Sequence, residues 1–355
     1  MSALAEQVQE QLRVRTAEEV PAAALARFYE RMYPRRADFL QRHWRWLYRV
    51  GAYDSIPAPL VVVHDDEVIG HAGLIPVTLR RGGVERTAIW FVDFGVLPEY
   101  QRQGLGVGLT REWMAACPLH VTFCNERSLG VFLKYGWEAR FHTYNFKLPL
   151  RPERHPGMRQ GSASRRALAH SAGLAARIVW RTRTLSKQEP AVSPATAEHL
   201  RALSAGVSDT TLHATRSPEF LNWRVETHPR GQDYFVLRDE RGGVYSMLAR
   251  IVEEGGYRRL HLLALGGGTG DDSGRHALSN FFAGIVRWSL ARDVHHVWFV
   301  TSDPAAARVA RRWFPMCNRA RFACHANDAA GAEFLSGTDH RWEGLDSDFD
   351  LAGDF

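Results

Sequence analysis

The segment VDFGVLPEYQRQGLGVGL, residues 92–109, constrains this chain more than any other. A run of strand-favouring residues ends at Val96, and Pro98 blocks its continuation as a central strand. The loop Gln101-Arg102-Gln103-Gly104-Leu105-Gly106-Val107-Gly108 then leads straight into a helical pattern. A strand that hands over to a helix through so short a loop belongs to an α/β fold. Glycines at 104, 106 and 108 let main chain approach a ligand closely, and the free N–H groups of a helix N-terminus point outward at the same place. Together they make an anion site suited to a pyrophosphate, to which Arg102 adds a charge-assisted donor. Glycines that open a helix also serve as an ordinary turn, so the spacing alone leaves both readings open.

The surrounding pattern reads βαα-βββ-α-β-α-β. It predicts a short strand over 12–16, helices over 18–32 and 36–50, and a hairpin over 59–79 that turns at Asp65-Asp66-Glu67. After a turn at Arg81-Gly82-Gly83 it predicts a strand over 85–96, a helix over 104–116, a strand over 119–124, a helix over 126–135 and a strand over 137–149. Residues 151–195 break the pattern. Pro152, Pro156, Pro190 and Pro194 surround SRRALAHSAGLAARIVWRTRTL, a basic linker with one amphipathic helix whose apolar side is Leu168, Ala172, Ala175 and Val179. A packed strut and a membrane-surface helix both fit; the shallow, alanine-rich face favours the strut.

The pattern then returns. LVVVHDDEVIGHAGL at 60–74 parallels YFVLRDERGGVYSML at 234–248, and VTFCNERSLGVFLKYGW at 121–137 parallels WFVTSDPAAARVARRWF at 298–314 without a gap. FLQRHWRW at 39–46 has a shorter echo in FLNWR at 220–224. The expectation is two copies of one α/β fold, each a mixed, largely antiparallel sheet flanked by helices. The domains are expected at 1–150 and 196–330, joined by the linker 151–195 and followed by an acidic tail over 331–355.

V-x-P-x-Y-Q-R-Q-G-L-G resembles motif A of the GNAT superfamily of acyl-CoA N-acyltransferases, Q/R-x-x-G-x-G/A, with Gln101, Gly104 and Gly106 at its fixed positions. The stretch is very similar to that of the ribosomal-protein alanine acetyltransferases. Asn125 after the next strand, and Gly136-Trp137 where the family has Gly-Phe, are further landmarks. The resemblance covers about 15–150 well and 196–328 weakly. It implies a tandem GNAT protein whose N-terminal copy takes acetyl-CoA or another acyl-CoA as co-substrate, without a metal. The acyl group would pass by direct attack to an amine of a small-molecule or amino-sugar acceptor. It further implies that the pantetheine arm enters between two splayed strands near Val96, with Asn125 close by. The main chain of Gln103, Gly104, Leu105, Gly106, Val107 and Gly108 would hold the pyrophosphate. A dinucleotide site of the Rossmann kind needs G-x-G-x-x-G and an acidic residue ending a following parallel strand, and neither is present.

Direct attack needs a base for the ammonium proton, and the family often protonates the leaving thiolate with a tyrosine four residues before the Gly of Gly-Phe. That position is Phe132 here, a departure that favours, as the alternative, a non-catalytic acyl-CoA-binding regulator; Tyr135 stands next to Gly136. For the base, His120 sits five residues before Asn125, where alanine acetyltransferases carry a glutamate, and imidazole titrates in the useful range. Asp93 lies three residues before Val96, where many relatives carry an acid, and His71 is a weaker third choice. The plainer readings are a strand-end histidine for His120 and a carboxylate tied to backbone or arginine for Asp93. Strict alternation sets Trp90, Val92, Phe94 and Val96 on one face and Asp93 on the other, unless a bulge intervenes. In the second copy, LHLLALGGGTGDDSGRHALSNFF has glycines but no motif A, Asp271 and Asp272 would repel a pyrophosphate, and Ser302 stands in the place of Asn125. That copy is expected to be degenerate.

Composition narrows the partners. The 355 residues carry a net charge of +6, yet only Lys134, Lys147 and Lys187 are lysines. The charge is local: residues 151–190 hold nine Lys/Arg against Glu153 and Glu189, while 331–355 hold seven acids against Arg341. No continuous basic face is visible, so no nucleic-acid partner is expected. No apolar run approaches the ~18 residues of a membrane span, which predicts no membrane insertion. The first residues lack the pattern of a secretory signal, which predicts a cytoplasmic protein. Cys117, Cys124, Cys317 and Cys324 fall in two C-x6-C pairs, a spacing of reduced, buried thiols rather than of a zinc site. The final TDHRWEGLDSDFD reads as a solvated or docking tail in preference to a metal site.

Overall fold

A computed structural model describes residues 13–124, 126–204, 207–239, 245–267, 272–337 and 339–348. They fall into two units, neither of them contiguous. The first holds the described residues up to Arg140 together with 321–337; the second holds Phe141 to Ala320 together with 339–348.

In the first unit, β1 (Arg13–Thr16), β2 (Leu60–His64), β3 (Glu67–Arg81) and β4 (Val84–Val96) run antiparallel in sequence order. Strand β5 (Leu119–Cys124) follows, parallel to β4. Both hairpins close through two residues of positive φ, Asp65 and Asp66 in one and Gly82 and Gly83 in the other, the turn whose twist matches that of the strands. Helices α1 (Ala22–Met32) and α2 (Ala37–Leu47) bury Leu25, Phe28, Tyr29, Leu40 and Leu47 at helical spacing. Helix α3 (Leu105–Ala115) joins β4 to β5 and buries Leu105, Leu109 and Trp113; α4 (Glu126–Lys134) follows β5. The Trp113 ring stacks on Phe91 of β4 with 3.5 Å between centroids, which fixes α3 against the sheet.

The next strand, β6 (Glu138–Pro149), crosses into the second unit after Arg140. Helix α5 (Ala163–Thr184), β7 (Ala191–Pro194), α6 (Ala197–Ser204) and β8 (Leu212–Ala214) precede a meander of β9 (Tyr234–Arg238), β10 (Tyr245–Glu254) and β11 (Tyr257–Gly267). Helix α7 (Asp272–Ala291), β12 (His296–Thr301) parallel to β11, helix α8 (Pro304–Ala310) and β13 (Met316–Ala326) complete the order seen in the first unit. The core of this unit packs Phe146 and Leu148 of β6, Leu262 of β11 and Phe299 of β12 against Phe282 of helix α7 and Phe314, which precedes β13.

The division differs from the contiguous halves expected at 1–150 and 196–330, and the reason lies in the hydrogen bonds of two strands. Residues 144–149 of β6 pair with β12, not β5, with Tyr144 opposite Thr301 and Pro149 opposite His296. The partner of β5 is the far half of β13, with Arg321 opposite Cys124 and Ala326 opposite Leu119. Helix α9 (Ala329–Leu335) stays with the first unit, where Arg81 donates to the Phe334 carbonyl at 2.9 Å.

One further expectation is narrowed and one corrected. Of the two readings of the acidic tail, solvated or docking, its described part takes the second: in 339–348, Trp342, Glu343, Leu345 and Asp346 are buried. Arg216 binds Glu343 at 2.7 Å and Asp346 at 3.0 Å, and Arg224, from the FLNWR segment, donates to the Leu345 carbonyl at 3.1 Å. In helix α5 the buried side is Ala169, Gly173, Trp180 and Thr184, whereas Leu168 and Val179 face solvent. The large Trp180 ring, seated near Trp313, decides which side is packed. The four cysteines are unpaired thiols. Among the described residues there is no cluster that could hold a metal ion, and no helix is long and apolar enough to cross a membrane.

Candidate functional site

Among the described residues, strands β4 and β5 pair at Ile89–His120 and Trp90–Val121 alone. Beyond that point β4 continues to Val96 and β5 to Cys124 without a mutual ladder, and the Thr122 hydroxyl takes the Phe91 carbonyl at 2.8 Å. The register of β4 against β3 slips between His71 and Gly73, and Asp93 in the slipped stretch has φ +49°. This is a β-bulge, and it breaks the strict alternation: Phe91 and Phe94, three apart, share one face with 5.3 Å between ring centroids.

The loop after Val96 is shaped for exposed amides. Gln101 donates its side-chain amide to the Val96 carbonyl at 2.9 Å, and Gln103 donates to the Glu99 carbonyl at 3.1 Å. Those two glutamines fasten the loop to itself and to the strand end. Arg102 has φ +65° and Gly104, the residue capping α3, φ +84°; no side chain caps the helix. The first amides of α3 therefore keep the free donors of a helix N-terminus. A Cβ on Gly106 would meet only the edge of Phe94, at 3.7 Å, and one on Gly108 would meet nothing within 4 Å. Protein packing does not ask for glycine at either position. Leu105 is buried beneath the loop and Val107 is exposed beside it.

Behind the bulge lies a buried polar cluster. The Asp93 carboxylate, with 5% of its side chain exposed, pairs with the Arg36 guanidinium and accepts from the Tyr48 hydroxyl at 2.9 Å. His71, fully buried, sets Nδ1 2.9 Å from the Asp93 carbonyl oxygen and Nε2 3.3 Å from the Tyr29 hydroxyl. Burial holds the His71 pKa below its ordinary value and raises those of Tyr29 and Tyr48. The Tyr48 ring also approaches Gly73 so closely that a Cβ there would lie 2.6 Å from it. Sequence reading singled out Asp93 and His71 but passed over Tyr29, Arg36 and Tyr48. The available signal was one tyrosine on the apolar face of α1 and one just past the end of α2, since a buried tyrosine hydroxyl needs a partner.

His120, expected as a candidate base, stands elsewhere. It faces Ile89, four residues before Asp93, which at ~3.3 Å per residue is about 13 Å along the strand. Its ring is fully buried, with Nε2 3.1 Å from the Met114 carbonyl and edge-on to Trp113, and burial pushes its pKa down to about 4. It is a core histidine. Phe132 is likewise a packed ring, 4.7 Å from Trp137 and 5.6 Å from Phe91 between centroids, so the position of the usual tyrosine is part of an aromatic core here. Tyr135 is half-buried at the end of α4. Asn125 lies outside the described residues, as do Gly268, Gly270 and Asp271 of the second copy. Ser302, the counterpart of Asn125, is occupied: it accepts from the Trp342 amide at 2.7 Å and donates to the His340 carbonyl.

Residues 19–137 match the model of the acetyltransferase (GNAT) family. Solved structures share the fold over most of the chain. A GCN5-related N-acetyltransferase from Kribbella flavida is 16% identical with a TM-score of 0.56, over 90% of this chain and 73% of that one. One from Anabaena variabilis is 12% identical with a TM-score of 0.56, over 90% and 74%. The N-myristoyltransferase of Saccharomyces cerevisiae, solved with myristoyl-CoA bound, is 9% identical with a TM-score of 0.58, over 89% and 78%. No match to a curated protein sequence was found.

Proposed function

We propose, on the match of residues 19–137 to the acetyltransferase (GNAT) family model, that the first unit moves an acyl group from coenzyme A to an amine of a small molecule or amino sugar. The acyl group we assign is acetyl or another short chain. One observation carries the reading: the opening between β4 and β5 lies beside the start of α3, where a Cβ on Gly106 would meet only Phe94, at 3.7 Å, and one on Gly108 nothing within 4 Å.

The residues fit coenzyme A. Within Gln103–Gly108 the Val107 and Gly108 amides donate to the Gly104 carbonyl, at 3.0 and 3.4 Å, so the donors we assign to a pyrophosphate are those up to Gly106, where the α3 dipole adds to them. Val96 closes the strand along which a pantetheine would lie, and Gln101 positions the loop by holding that residue's carbonyl. When bound, acyl-CoA supplies the activated thioester.

The chain's own part is to orient the amine and take its proton. Asp93 is the group we assign to the proton, because the bulge turns it out of the regular alternation of β4. Arg36 and Tyr48 hold its carboxylate, and His71 holds its carbonyl. Phe132 leaves the departing thiolate without a tyrosine, so that proton comes from water. The test is release of free thiol from acetyl-CoA against a panel of amines, with coenzyme A binding followed by calorimetry. Binding with amine-dependent thiol release supports the reading; no binding of coenzyme A overturns it.

A further inference from the structure

Helix α5 is apolar on two sides. One side, with Ala169, Gly173, Trp180 and Thr184, is packed within the second unit. The other carries Leu168, Leu174, Ile178 and Val179, and Leu185 just beyond the helix, all between 51% and 75% exposed. At 100° per residue these five fall within an arc of about 140°, with only small residues, Ser164, Ala167, Ser171, Ala175 and Thr182, between them. Arginines mark both edges of the arc: Arg181 on one, Arg165 and Arg183 on the other, all exposed. The helix has no Asp or Glu from Ala163 to Thr184, and the segment 151–190 has nine basic residues against two acids, a net charge of +7.

We propose that this face of α5 docks the protein on an anionic lipid bilayer, with the helix lying in the plane of the interface. The charge selects the occupant. A second copy meeting the same face would set arginine rows against each other, with no carboxylate on the helix to relieve them. A lipid surface supplies negative headgroups at both edges and acyl chains between. Arginine suits that border because its stem lies along apolar surface while the guanidinium reaches the phosphates. The arc is wide and convex rather than a narrow seam, which fits a planar interface better than a partner helix. Among the described residues no helix is long and apolar enough to cross the membrane. The proposed binding is peripheral, through this one face, and its electrostatic part is weakened by salt.

The test is co-sedimentation of the full chain with vesicles of phosphatidylcholine alone or with phosphatidylglycerol. The expected result is binding to the anionic vesicles at least about tenfold tighter than to neutral ones, weakened at high salt. Ile178→Asp with Val179→Asp should abolish binding, and Arg165→Ala with Arg181→Ala should weaken it. All four positions are solvent-facing, so the melting temperature should hold. Failure to bind anionic vesicles overturns the proposal, as does equal binding by the Ile178→Asp/Val179→Asp variant. Self-association or capture of an acidic protein through this face, in place of lipid binding, also overturns it. The coenzyme A reading of the first unit stands or falls separately.

Discussion

The His71 imidazole meets Asp93 through the main chain and not through the carboxylate, Nδ1 lying 2.9 Å from the Asp93 carbonyl oxygen. A neutral imidazole that donates from Nδ1 keeps Nε2 as an acceptor, which is what the Tyr29 hydroxyl at 3.3 Å requires. The bulge is thus held from below by one residue, while its carboxylate is held by two others, Arg36 and Tyr48.

That separation makes Asp93→Asn a sharp probe of chemistry. The expected outcome is a joint fall in kcat and kcat/KM of ~10²–10⁴-fold, as for loss of a general base. Coenzyme A affinity from calorimetry should barely move. Tyr48→Phe, which removes one hydrogen bond to the same carboxylate, should cost about 1 kcal/mol of stability in urea titrations. An Asp93→Asn enzyme with unchanged kcat would place the base elsewhere.

Gly106 and Gly104 should separate binding from folding. Gly106→Asp meets no backbone in the structure, so its urea midpoint should stay close to that of the parent. Its carboxylate would stand over the α3 amides, and coenzyme A affinity should fall by more than about 100-fold, roughly 2.7 kcal/mol. Gly104→Ala forces a Cβ into φ +84° and should destabilise by about 1 kcal/mol or more before any ligand is added.

His120 sets an acid limit on stability. Its folded pKa of about 4 lies below the ordinary value of 6.5, because burial disfavours the charged ring. Above pH 6.5 both states are neutral and nothing is lost. As pH falls from 6.5 towards 4 the unfolded chain takes up a proton that the folded one refuses, so stability drops, by about 3 kcal/mol for a shift of this size. Urea titrations at pH 7 and pH 4.5 should show the drop. Replacement by phenylalanine, which keeps an aromatic ring beside Trp113, should reduce it. His71 and His261, also lowered by burial, act in the same direction.

Arg216 neutralises two buried carboxylates, Glu343 and Asp346, with side chains 0% and 1% exposed. Arg216→Met removes the ion pair to Asp346 and leaves Glu343 with Arg341 alone, at 3.4 Å, and should cost about 3–5 kcal/mol, measured as loss of urea resistance. The same variant at a solvated acidic tail would change almost nothing, so the measurement also checks the burial of this segment.

Local order was legible in the sequence wherever one physical signal dominated. Asp65-Asp66 and Gly82-Gly83 announced their turns because few other residues accept two positive φ values in succession. The strand, loop and helix around Gly104 followed from glycine spacing and apolar periodicity. What stayed hidden depends on contacts distant in the chain. Nothing in VTFC says that Phe123 will pair with Phe322 and not with β6, because both candidate edges are equally apolar. The fate of the tail hid for a similar reason: TDHRWEGLDSDFD reads equally as solvated or docking until Arg216, more than 120 residues earlier, is found between Glu343 and Asp346. His120 misled because position in a motif says nothing about burial, and the surrounding Trp113 and Trp137 decide its chemistry. The linker helix showed its amphipathic pattern but not its orientation, which Trp180 sets.

The pairing of β5 with Arg321–Ala326 has a consequence for the growing chain on the ribosome. When Arg140 has been made, β5 still has a bare edge, and its partner lies 181 residues ahead, from 140 to 321. At about 5–20 residues per second, the first unit waits roughly 10–35 s for its last strand. During that interval an apolar strand edge is open to any other extended segment in reach. Completion of the unit that carries the motif is thereby tied to synthesis as far as Ala326, so a nascent chain cut short within the second unit releases an unfinished first one.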